Sequence, residues 1–266
     1  MNDAVQIERR GAVAILTLDR PDTRNALSGD VIDALAEFLG SANADASLGC
    51  IVLTGNGDAF SSGGNVKDMR GGDHPMFTGT PLEMQEAYRN HIQRLPRLFD
   101  RLDVPAIAAV NGHAIGAGMD LATMCDIRVA STNARFAESF LRVGLVSGDG
   151  GAWYLPRVVG YAKAIELALT CRTLDAQQAL DWGLVTHVAE PDALLPTALS
   201  LAEQITAFPP KSIRLNKRLL RQSPGLPLES ALDLAASFQA IIQHTKDHGE
   251  AVDALLDKRA PRYSGQ

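Results

Sequence analysis

The first periodic signal along the chain is an apolar, β-branched run, Ala12 to Leu18, closed by Asp19-Arg20-Pro21. Such a run between turn-forming residues predicts a strand. The period then changes. Ser28 precedes Val31, Ile32, Leu35, Phe38 and Leu39 at helical spacing, which predicts an amphipathic helix capped by Ser28 and stopped by Gly40. Cys50 to Thr54, Ala106 to Val110, Ile127 to Ala130 and Leu184 to Val188 predict further strands. Pro81 to Leu102 predicts one long helix bent near Pro96. Residues 70–80, rich in Gly, Pro and Thr, read as a mobile connection. Asp175 with Gln178 makes a capping box for a helix that Gly183 ends. From Asp192 to Arg259 the pattern is helical, divided at Pro209-Pro210 and at Pro224 to Pro227. The expectation is an α/β (α+β) core over residues 1–195, followed by a helical region over residues 196–266.

Composition narrows the function classes. Apolar residues make up 46% of the 266 positions and aromatics only 5%, a mix suited to close helix–strand packing. A net charge of −6 offers no broad basic surface for nucleic acid. Lys211, Arg214, Lys217, Arg218 and Arg221 do fall mostly on one side of a helix. They read as a solvated face or as a site for an anionic ligand. Cys50, Cys125 and Cys171 are far apart and read as buried thiols in a reducing compartment. The charged segment Met1 to Arg10 lacks the apolar centre of a secretory signal. The apolar stretch Val104 to Ala130 is broken by Asn111, His113, Asp120 and Asp126, so no membrane span is expected. These features fit a cytoplasmic protein.

Candidate chemistry gathers at two glycine-rich turns that bring a strand into a helix, Phe60 to Gly64 and Gly116-Ala117-Gly118. Turns of this kind leave backbone N–H groups unpaired at a helix start. Two aimed at one point would hold an oxyanion. The glycines do not fit G-x-G-x-x-G, and the chain carries neither a phosphate-loop sequence nor a G-x-S-x-G elbow.

Several segments resemble the enoyl-CoA hydratase/isomerase (crotonase) superfamily in order and spacing. They are Arg20-Pro21 with Arg24-Asn25-Ala26-Leu27, Ala59 to Asn65, Pro105 to Gly112, Gly116 to Ala122 with Cys125-Asp126, and Ala176-Gln177 with Ala179-Leu180 and Gly183-Leu184-Val185. The resemblance implies a ββα spiral core with a C-terminal helical region that builds a homotrimer, or a hexamer from two trimers. It implies an acyl-CoA thioester substrate, with no cofactor beyond the CoA of the substrate itself. By matched position, the oxyanion donors are the amides of Gly64 and Ala117, where the family usually has Gly at the second. Losing one such donor costs roughly 2.7–4 kcal/mol of transition-state stabilisation. Arg24 matches a basic position near the CoA phosphates, and the Ser62 loop passes the adenine.

The acid–base pair departs from the family's hydratases, which use two Glu. The first Glu position holds Asp120, and the second holds Phe140, which cannot carry a proton but could stack on a ring. Glu138 lies two residues earlier; on a helix or irregular turn it points elsewhere, and on a strand it shares the face but sits about 6–7 Å away. Asp149, flanked by glycines, stands where an N-cap is expected, and some relatives carry a working Asp in this loop. Asp120 and Asp149 are therefore the candidate acids. His113 is a lesser candidate. His244 and His248, four apart, read as a solvated helix, and no metal is expected. The implied activity is hydration through an oxyanion-stabilised enolate. The rivals are isomerisation, or C–C or thioester hydrolysis, on a cyclic or aromatic acyl group. A remote rival is a non-catalytic CoA- or RNA-binding relative.

Overall fold

The computed structural model describes residues 3–72 and 74–266. Its strands are β1 (Val5–Arg10), β2 (Val13–Leu18), β3 (Cys50–Gly55), β4 (Ala59–Ser61), β5 (Ala106–Val110), β6 (His113–Ile115), β7 (Ile127–Ser131), β8 (Arg135–Ala137), β9 (Leu174–Asp175) and β10 (His187–Ala189). Its helices are α1 (Gly29–Ala42), α2 (Val66–Gly71), α3 (Pro81–Asn90), α4 (Arg94–Arg101), α5 (Ala117–Met124) and α6 (Gly151–Val159). Then come α7 (Tyr161–Thr170), α8 (Ala176–Asp181), α9 (Pro191–Thr206), α10 (Pro210–Gln222), α11 (Leu228–Gln243) and α12 (Lys246–Leu256).

Two sheets form. The larger has the order β1-β2-β3-β5-β7-β10 and the smaller β4-β6-β8-β9. The chain repeatedly lays one strand on each sheet, as in β3-β4, β5-β6 and β7-β8, and β3-β4 and β5-β6 run on into helices α2 and α5, giving a ββα spiral. Helices cover both faces of the large sheet's central part, which is why β2, β3 and β5 are continuous apolar runs. Leu16, Leu18, Ile51, Leu53, Ala108 and Val110 share one core with Ile32, Leu35, Leu95 and Met119. Alternate residues Val13, Ile15, Val52, Ile107 and Val129 face Leu194, Ala198 and Ala202 of α9.

Local predictions fail where tertiary packing outweighs a local signal. α1 continues through Gly40 to Ala42, because Leu39 and Ala42 are buried; their burial outweighs the ~1 kcal/mol that a mid-helix glycine costs. Ser28 is its N-cap residue, yet its hydroxyl bonds the Asp30 carboxylate instead of a backbone N–H. The long helix is two helices, broken at residues 91–93. Pro96 sits in the first turn of α4, where its missing N–H costs nothing. Leu184 and Val185 are buried, but their N–H groups bond the Ala179 carbonyl, so the last strand starts only at His187. In the connection over residues 70–80, Asp73 lies outside the described residues; α2 ends at Gly71, and Thr80 caps α3 in a capping box with Glu83. His244 ends α11 and His248 lies in the first turn of α12, so the two do not share one helix.

Lys211 on α10 is exposed, but the other four basic side chains of the stripe are committed to the core. Arg214 donates to the carbonyls of Asn43, Asp45 and Leu48. Lys217 reaches the Val104 carbonyl and Asp126, each at 2.7–2.8 Å. Arg218 and Arg221 close on Asp103, a buried carboxylate; burial pushes its carboxyl up, but the two guanidinium groups outweigh that and hold it below its usual range. The stripe clamps α10 to the core by satisfying carbonyls at strand and helix ends. All three cysteines are free and buried. Among the described residues no helix is long and apolar enough to cross a membrane.

Candidate active site

The two glycine turns interlock. β4 and β6 pair in parallel, so both turns leave the same end of the small sheet. Gly63 has φ +77°; a methyl there would lie 2.4 Å from the Ile115 carbonyl oxygen and 2.9 Å from the Ala117 nitrogen. A methyl on Gly118 would lie 2.1 Å from the Ser61 carbonyl oxygen. Glycine is what lets the two backbones approach this closely. The first turn is also tied down from behind. Asn25 Nδ2 donates to the Ala59 carbonyl at 2.8 Å, and Ser61 Oγ to the Asn25 carbonyl at 2.7 Å. The Ser62 N–H donates to Arg24 and the Leu27 N–H to Gly63, both at 2.8 Å. The N–H groups of Gly64 and Ala117 donate to no acceptor among the described residues. Gly64 lies just before α2 and Ala117 opens α5.

Behind the second turn stand three acids. Asp120, in the first turn of α5, is fully buried. Its Oδ2 accepts from the Gly151 N–H at 3.1 Å and from Ser147 Oγ at 3.2 Å. A methyl on Gly151 would strike Asp120 Oδ1 at 1.9 Å, so α6 must begin with glycine. Glu138, just after β8, is 2% exposed and within hydrogen-bond reach of Asp120. Asp120 Oδ1 and Glu138 Oε2 are buried and meet no N–H or O–H donor among the described residues. Burial, reinforced by Glu138, pushes the Asp120 carboxyl well above its usual range; burial also raises Glu138.

Asp149 does not cap α6. The N-cap residue is Gly150, and the helix start is held by Asp120 through Gly151 and by Ser147, whose Oγ accepts from the Ala152 N–H at 3.1 Å. The buried acid found a better-placed N–H than its neighbour in sequence, so the capping expectation is corrected. The Asp149 carboxyl is 8% exposed and makes no hydrogen bond among the described residues. Burial and then the Asp120 charge raise it to about 7, the region where a proton can be both taken and returned near neutral pH. Beside it a cavity of about 490 Å³ is lined by Gln85, Tyr88, Arg89, Gln93, Val146 and Gly148. The larger cavity, about 1500 Å³, lies elsewhere, between the C-terminal helices and the core.

The remaining candidates flank this centre. Phe140 is half-buried, with its ring 3.8 Å from where a methyl on Gly116 would sit. Arg24 is exposed, and Ser62 Oγ donates to the neighbouring Thr23 carbonyl at 3.0 Å, so both sit behind the first turn. His113 lies in β6, with its ring partly exposed. Among the described residues no cluster of His, Cys, Asp or Glu is suited to a metal. Glu138 is the residue that sequence reasoning set aside. Its placement depends on β8 pairing with β6 at Ile115–Ala137, which sets it level with Gly116. A three-residue strand gives no periodic signal from which to foresee that.

The sequence profile described as enoyl-CoA hydratase/isomerase matches residues 8–266. The chain belongs to the enoyl-CoA hydratase/isomerase family. It is 35% identical over 254 residues to 1,2-epoxyphenylacetyl-CoA isomerase of Escherichia coli K12, covering 96% of this chain and 95% of that protein. It is 35% identical over 263 residues to 2,3-dehydroadipyl-CoA hydratase of the same organism, covering 98% of each. The solved enoyl-CoA hydratase of Bacillus anthracis superposes with a TM-score of 0.92 at 29% identity, covering 99% of this chain and 100% of that one. The spiral is thus the crotonase fold, and the chain is an enzyme of the enoyl-CoA hydratase type acting on a CoA thioester.

Proposed function

We propose that the Gly64 and Ala117 amides bind the thioester oxygen as it becomes an enolate, and that Asp149 carries the proton. The observation that carries this reading is the unbonded Asp149 carboxyl, raised to about 7 by burial and by Asp120 in the first turn of α5, together with two unpaired amides on interlocked turns, one of which opens that helix. In hydration, the Asp149 carboxylate takes a proton from water as the water oxygen attacks C3. The electrons pass to the thioester oxygen, and the Asp149 carboxyl then returns the proton to C2. One water is added and Asp149 ends unchanged. Asp120 supports the site from below, its Oδ2 already committed to Gly151 and Ser147.

A second reading, isomerisation, is favoured by there being one unbonded acid where a hydratase of the two-Glu type has two. Asp149 would remove a proton from one carbon of the enolate system and return it to another, without water. Phe140 against the second turn suits a cyclic or aromatic acyl group in either case. Arg24 would meet the CoA phosphates and the Ser62 loop the adenine. Residues 196–266 would form the trimer-building region within a homotrimer or hexamer, supported by the exposed Leu228, Leu232, Ile241, Leu255 and Leu256. The three free buried cysteines support a reducing, cytoplasmic setting for acyl-CoA metabolism.

The test is incubation of crotonyl-CoA, and separately a 3-enoyl-CoA, in D2O. Formation of 3-hydroxyacyl-CoA deuterated at C2 supports hydration. Conversion of the 3-enoyl to the 2-enoyl thioester without hydroxyl uptake supports isomerisation. Undiminished turnover of both substrates in Asp149→Asn sinks the proton-carrier assignment.

A further inference from the structure

Glu138 is the buried acid that the proposed chemistry leaves unused. It approaches Asp120 where neither side chain has another donor for Asp120 Oδ1 or Glu138 Oε2. Two bare carboxylates side by side and out of water repel strongly, and a buried oxygen left without a donor is destabilising. Two neutral carboxyls would leave no net charge between two acids that also face Asp149. A single shared proton satisfies both oxygens and leaves one negative charge, the arrangement that like-charged buried carboxyls adopt when they share a site.

We infer that Glu138 is a positioning residue: it forms a one-proton pair with Asp120, and this pair sets a single negative charge behind Asp149 while fixing the start of α6. The inference rests on the reading of Asp149 as the proton carrier only for its kinetic consequence. The groups facing this cluster are Asp120 on α5, Glu138 after β8, Tyr88 on α3, Asp149 itself before α6, and Cys171 at the end of α7. Burial and the Asp149 charge push the Tyr88 phenol above its usual range, and Asp120 is the charge that acts on Asp149, so the pair is the charge that Asp149 feels.

Amide substitutions separate the three possible charge states. In Glu138→Gln, the new amide donates to Asp120, which keeps one charge. In Asp120→Asn, the amide oxygen still accepts from Gly151 and Ser147 while its NH2 donates to Glu138, again keeping one charge. Only the double variant Asp120→Asn/Glu138→Gln removes the charge. The experiment is a 13C-carboxyl NMR titration of the free folded enzyme, with the Asp149 signal assigned by its loss in Asp149→Asn, run beside the pH profile of kcat/KM. The expected result is an Asp149 midpoint near its wild-type value in both single variants. In the double variant it falls by about one pH unit. A fall in each single variant, followed by a further fall of similar size in the double variant, means two charges, and no movement in any variant means none; either overturns the pair. If the NMR midpoint moves as expected while the kinetic limb stays put, the pair stands and it is the catalytic assignment of Asp149 that fails.

Discussion

Gly64 stands at a turn open to solvent, while Ala117 stands at one that is buried. Both present an unpaired N–H just before or at a helix start. The first turn is held by amide and hydroxyl groups alone, Asn25 and Ser61 foremost, and its electrostatics do not change with pH. The second is backed by Asp120, Glu138 and Asp149, all buried and all raised above the usual carboxylate range. The contrast teaches a division of labour. One turn needs only geometry, because a backbone dipole is fixed once the chain is folded. The other couples that geometry to groups whose charge can change during a reaction.

The contrast is tested most severely at Asp149. Asp149→Asn is expected to lower kcat by roughly 10²–10⁴-fold, the usual range for a lost general acid–base group, with KM little changed, as read by steady-state kinetics. A smaller loss would move the proton chemistry elsewhere. The rate of the wild type should rise with pH through about 7 as the Asp149 carboxylate forms; a flat profile there would count against it.

Gly63→Ala attacks the interlock itself. The strained φ and the 2.4 Å approach to the Ile115 carbonyl should push the Ala117 amide off target. The expected cost is roughly 10²–10³-fold in kcat, as for a lost oxyanion donor. An unchanged kcat in a folded Gly63→Ala enzyme would show that the two amides do not act together.

Stability offers a third contrast, because the second turn stores electrostatic strain and the first does not. The native Asp149 binds its proton more tightly than the unfolded chain does, since its folded value of about 7 lies above the ordinary one. Between about pH 4 and 7 the native state therefore holds more protons, and stability falls as pH rises through that window. Asp149→Asn should relieve this, raising the unfolding free energy at pH 8 by on the order of 3 kcal/mol and by almost nothing at pH 4. Denaturant titrations at the two pH values decide it; equal gains at both would show that the charge is not the cause.

The smallest effect is expected behind the first turn. Arg24→Ala should raise KM for the acyl-CoA about three- to tenfold, leave kcat unchanged, and make KM less sensitive to salt, as for a lost exposed phosphate contact. A fall in kcat instead would place Arg24 closer to the reacting centre.

Legibility in the sequence followed the same division. The strands Val13–Leu18, Cys50–Gly55 and Ala106–Val110 were visible as apolar runs because both faces of their sheet are covered. The glycine spacing at 60–64 and 116–118 announced the turns, since close backbone approach demands glycine whatever surrounds it. β1 was missed because five of its six residues are exposed, and β8 because three residues carry no period. Without β8, Glu138 could not be set beside Asp120. The basic stripe on α10 was visible, but whether it met water, a ligand or the carbonyls of Asn43 and Leu48 was not.

The chain's own order of residues thus determined the spiral's central strands and the two glycine-rich turns. Tertiary structure alone decided which acid caps α6, which acid is left unbonded, and which two carboxyls meet. The physical reason is range. Strand period and glycine geometry act over a few residues of chain, whereas burial and charge coupling depend on groups such as Asp120 and Gly151, 31 residues apart, arriving at one place.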